Sequence, residues 1–102
     1  GSQMAGGSPA AKAWIVNQDP DMNQVPFPNK FKYDWADESR EDYSDENCFE
    51  TWMGYLDDQG ITPDTIAAFM LETFQGGWAQ FMPVGFVKKL RQFCDDNDIL
   101  VL

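Results

Sequence analysis

The stretch of this sequence best suited to chemistry is Glu72-Thr73-Phe74-Gln75-Gly76-Gly77-Trp78. It follows an apolar run over residues 66–71, so Glu72 is an acid that must be paired, solvated or protonated. The two glycines permit close approach of a ligand to the backbone. A ligand site and a plain turn that closes a strand end use the same residues, and spacing alone does not separate them. Other chemistries are removed by what the chain lacks. It has no histidine, which excludes Ser-His-Asp triads, Cys-His nucleophiles and His-ligated zinc within this chain. Cys48 and Cys94 lie far apart and neither belongs to a Cys-x-x-Cys pair. Each falls at an apolar helical position, where a small buried thiol is the ordinary reading. The acidic stretch "DESREDYSDENCFE" lacks the spacing and the glycine of a calcium loop, and reads as a solvated turn leading into a helix. No metal site is expected.

The elements that must position the Glu72 loop can be read on both sides of it. Residues 66–71 are apolar on both faces, as in a strand covered on two sides. After the loop, Pro83 suits the first position of a helix. Phe86, Leu90, Phe93 and Cys94 line one face of that helix, with Lys88, Lys89 and Arg91 facing outward. "DND" turns the chain and Ile99, Leu100, Val101 and Leu102 begin a second strand. Strand, loop, helix and strand make a βαβ unit with parallel strands near 66–72 and 98–102 and a right-handed crossover. In open α/β sheets ligands collect outside the carboxyl ends of strands, where the Glu72 loop stands.

Upstream, a second helix is predicted over residues 45–58. Ser44, Asp45 and Asn47 are credible N-caps, Phe49, Trp52, Met53 and Leu56 form a core stripe, and Gly60 stops the helix before Pro63. Prolines 20, 26 and 28 prevent a regular helix before it, and Val25, Phe27 and Phe31 suggest extended, partly buried chain. "AKAWIVN", residues 11–17, fits a short strand or a helical turn. Residues 1–11 read as a flexible lead, whose opening Gly1-Ser2 has the look of residues left by tag removal.

Composition bounds the rest. A chain of 102 residues, 43% hydrophobic and 15% aromatic, is one domain with one core. Its net charge of −10, from 17 acids against 7 bases, makes nucleic acid and anionic membrane unsuitable partners. No apolar run approaches a membrane span. Two cysteines do not make a secreted scaffold, so a cytoplasmic setting is expected.

"IAAFMLETFQGGWAQFMPVGFVKKLRQFCDDNDILVL" resembles the middle of a class III pyridoxal-phosphate-dependent aminotransferase. In that family a strand ends in a Glu-Pro-x-Gln-Gly or Glu-Thr-Phe-Gln-Gly motif. A proline-started helix with a Leu-Arg-x-Phe/Leu-Cys core and an apolar strand follow. "VPFPNKFKYDW" is similar to the family's extended segment upstream, so the likeness spans roughly residues 23–102. Thr73 stands where proline is commoner, and "GGW" departs from the family's Gly-Trp-Gly order.

The resemblance implies a fold type I PLP-transferase large domain, of which residues 12–102 are one incomplete α/β segment. It implies that Glu72 and Gln75 sit near the floor of the cofactor site. It also implies that the aspartate pairing with the pyridine nitrogen and the Schiff-base lysine fall beyond Leu102. Lysines 12, 30, 32, 88 and 89 align with no cofactor lysine. Pyridoxal phosphate would belong to the parent enzyme, which moves amino groups between an amino acid or amine and a keto acid. No cofactor is expected on this chain alone, which is expected to be inactive. Open strand edges would draw copies into a homodimer or small oligomer. A self-standing acidic α/β module that binds a protein partner is the alternative.

Overall fold

The computed structural model describes residue 6 and residues 10–28, 44–77 and 79–102. The expectations for Phe31, Lys30, Lys32, Trp78, the first half of the acidic stretch and most of the lead lie outside these residues. Among the described residues the elements are helix α1 (Asp45–Asp58), strands β1 (Ala68–Phe69), β2 (Phe74–Gln75) and β3 (Gln80–Phe81), helix α2 (Val84–Asp96) and strand β4 (Leu100–Val101). Two 3-10 turns, Ala10–Lys12 and Pro63–Thr65, complete them. Of the two readings open for residues 11–17, the chain takes the helical turn.

Helix α1 begins where a hydroxyl can satisfy one of its unpaired N–H groups. Ser44 is the N-cap, and its Oγ accepts from the Asn47 N–H at 3.0 Å. Cys48, Trp52 and Leu56, spaced by four, are buried, with Phe49 and Met53 half-buried beside them. Gly60, at φ +70°, ends the helix. Its N–H reaches the Asp57 carbonyl at 2.9 Å and the Ile61 N–H reaches the Leu56 carbonyl at 2.9 Å, the paired closure of a Schellman motif. Helix α2 ends with the same outer bond, Ile99 N–H to Cys94 O at 2.9 Å, but Asp98 takes the left-handed position at φ 61°. Pro83 stands one place earlier than predicted, as N-cap rather than first helical residue. Its φ of −56° with ψ of 132° delivers the chain into the helix, and the carbonyl accepts from the Val87 N–H at 3.1 Å.

Strands β1 and β4 pair in parallel, Ala68 with Leu100 and Phe69 with Val101. Hydrogen bonds extend the pairing past the regular strands: Leu100 N–H to Ala67 O at 3.1 Å, Leu102 N–H to Phe69 O at 2.8 Å and Leu71 N–H to Leu102 O at 3.1 Å. With α2 between them this is the predicted βαβ unit, and the chain is a small α/β structure with two helices among the described residues.

The helices cover one sheet face. Phe69 and Ile99 are buried there, with Leu71 and Val101 half-buried. The strand expected to be covered on both sides is covered on one. Ala68 is exposed, and Met70, Leu100 and Leu102 are 59%, 65% and 67% exposed on the alternate positions. An uninterrupted apolar run records that both faces are apolar. It does not record that both coverings come from this stretch of chain.

The core is closed by Trp52. Its ring meets Phe69 at 5.4 Å and Phe86 edge-on at 5.3 Å, and its indole N–H donates to the Pro26 carbonyl at 3.1 Å. The Tyr55 hydroxyl adds a bond to the Gln24 carbonyl at 3.3 Å. Residues 22–28 have no regular secondary structure, and Val25 and Phe27 pack against the core, as the prolines and spacing predict. No helix of the described residues is long and apolar enough to cross a membrane.

Candidate functional site

The glycine-containing loop after β1 includes a β-hairpin that the sequence reading does not divide into strands. Strands β2 and β3 pair antiparallel, Phe74 opposite Phe81 and Gln75 opposite Gln80. The Met82 N–H donates to the Thr73 carbonyl at 2.8 Å and closes the base. Gly76 and Gly77 lead into the turn, and Ala79 leaves it at φ 51°, the left-handed conformation that non-glycine residues rarely take. Strand alternation sorts the side chains. Phe74 and Phe81 share the outer face as a ring pair with centroids 4.9 Å apart, both exposed. Gln75 and Gln80 share the other face, Gln75 half-buried and Gln80 buried.

The described residues singled out in the sequence each have a definite place. Glu72 is exposed just past Leu71, at the carboxyl end of β1, and Thr73 is exposed beside it. Gln75 folds its carboxamide over the turn, so that a Cβ at Gly77 would lie 3.2 Å from its Oε1. Gly77 therefore leaves room for the amide, a tighter purpose than free access for a ligand. The spacing did not reveal Gln80, whose buried Oε1 has no hydrogen-bond partner among the described residues. The mirror arrangement in the sequence, Phe-Gln, four intervening residues, Gln-Phe, was the signal that places it, since a hairpin returns like residues to one face.

This arrangement offers hydrogen-bonding amides and one solvated carboxylate beside a bare aromatic pair. Among the described residues it holds no thiol and no amine. Cys48 and Cys94 form no disulfide and are fully buried in the helical core, and burial pushes the Cys94 thiol above its ordinary range. Among the described residues no group of three His, Cys, Asp or Glu stands close enough to hold a metal ion. Of the described lysines, Lys88 is exposed on α2, Lys89 pairs with Glu46 at 3.0 Å, and Lys12 is buried in the N-terminal turn. The Lys89 ammonium holds the Glu46 carboxyl below the usual carboxylate range, and Arg91 does the same to Asp95 one turn along α2. The basic residues of α2 are thus partly neutralised by acids rather than gathered into an anion site.

No protein-family model matches the chain, and neither a curated protein nor a solved structure matches it.

Proposed function

We propose that the chain is a segment of the large domain of a class III pyridoxal-phosphate-dependent aminotransferase. The observation that carries this reading is the position of the Glu-Thr-Phe-Gln-Gly hairpin, at the carboxyl end of a strand in a parallel βαβ unit. Open α/β sheets place ligand contacts there, and the family motif that these residues resemble occupies the corresponding strand end. The open sheet face of Ala68, Met70, Leu100 and Leu102 supports the same reading, because parallel sheets are covered by helices on both sides. On this reading a helical layer from the rest of the large domain covers that face.

The described residues do not by themselves make a cofactor site. An aminotransferase needs a lysine free to form a Schiff base and an acid at the pyridine nitrogen. Lys89 is engaged by Glu46, Lys88 stands on an exposed helix surface, and Lys12 is buried in the N-terminal turn. Glu72 and Gln75 are floor residues in this proposal, contributing hydrogen bonds and shape, with no part in proton transfer.

The first expected outcome is therefore negative. Mixed with pyridoxal phosphate and a panel of amino donors and keto acids, the isolated chain gives no protein-bound imine absorbance and no turnover. Reproducible turnover overturns the segment reading. Sequencing the source DNA past the codon for Leu102 tests the proposal directly. An Asp-Glu-x-Gln stretch in frame supports it, and an immediate stop codon favours the self-standing interaction module. Association of copies belongs to the same reading, since among the described residues the parallel sheet has two strands and no further strand on either outer edge. Sedimentation at micromolar concentration should show a dimer or small oligomer, and a monomer throughout counts against it.

A further inference from the structure

We draw no further inference here: the strongest candidate, the open apolar face of the parallel sheet formed by Ala68, Met70, Leu100 and Leu102, belongs to the reading already proposed, and nothing in the structure shows what covers it.

Discussion

Trp52 does more to hold this chain together than any residue of the candidate site. It lies 2% exposed on α1, against Phe86 of α2 and Phe69 of β1, and its N–H fixes the extended segment through Pro26. Removing a buried indole costs about 3–5 kcal/mol, against a total of about 5–15 kcal/mol for an ordinary domain. Trp52→Ala is therefore expected to lose a large share of its stability in a urea titration. Trp52→Phe keeps much of the packing and leaves the Pro26 carbonyl without its donor, a loss of about 1–2 kcal/mol. A Trp52→Ala variant as stable as the parent would mean that the four elements do not meet at this ring. The surface acids give a second residue-scale prediction. Glu46 and Asp95 are held low by Lys89 and Arg91, so their ion pairs contribute above the unfolded carboxylate pKa and are lost as pH falls through the depressed folded values. A carboxyl NMR titration should find these two side chains protonating below the free reference values for glutamate and aspartate. Their exposure keeps the effect on stability small.

The two helices end by the same device with different residues, which makes a controlled comparison possible. Gly60 occupies the left-handed position after α1, and Asp98 occupies it after α2. A Cβ at Gly60 meets nothing within 4 Å, so Gly60→Ala tests conformation alone and should cost about 1 kcal/mol. Asp98→Gly should gain about 0.5–1 kcal/mol by relieving the same strain. Paired thermal melts check both, and a destabilised Asp98→Gly would show that the aspartate side chain matters more than its backbone. These helices were legible because their signals are local: a serine before the stripe, apolar residues at three and four, and Gly60 or Asn97-Asp98 after it. The hairpin was harder to read. Gly76-Gly77 marks a turn equally well in a loop, and strands of two residues, β2 and β3, leave little room for alternation. Glu72 follows the last bond of the parallel pairing, Leu71 N–H to Leu102 O, but the apolar run over residues 66–71 overstated the regular strand, which is Ala68–Phe69. The burial of Gln80 was not legible, because it depends on which hairpin face turns toward the protein.

At the scale of the whole molecule, the governing feature is the sheet with one covered side. Ile99, just before β4, and Leu100, its first residue, test it, because alternation along extended chain sends neighbours to opposite faces. Ile99 is 2% exposed beneath the helices, whereas Leu100 is 65% exposed on the open face. Ile99→Ala should cost about 2–5 kcal/mol, as a buried aliphatic deletion does. In the isolated chain Leu100→Lys should stay within about 0.5 kcal/mol of the parent, as an exposed substitution does. It should also reduce binding of an apolar dye, since it places a charge in the middle of the bare patch. In a longer chain that carries a second helical layer, the same Leu100→Lys would bury an unpaired ammonium and cost several kcal/mol. Unfolding midpoints for Leu100→Lys in both lengths of chain decide the matter. A large loss only in the longer chain identifies the open face as an internal surface of a bigger domain. Equal tolerance in both lengths means that the face stays in water, and the segment reading loses its support from the sheet.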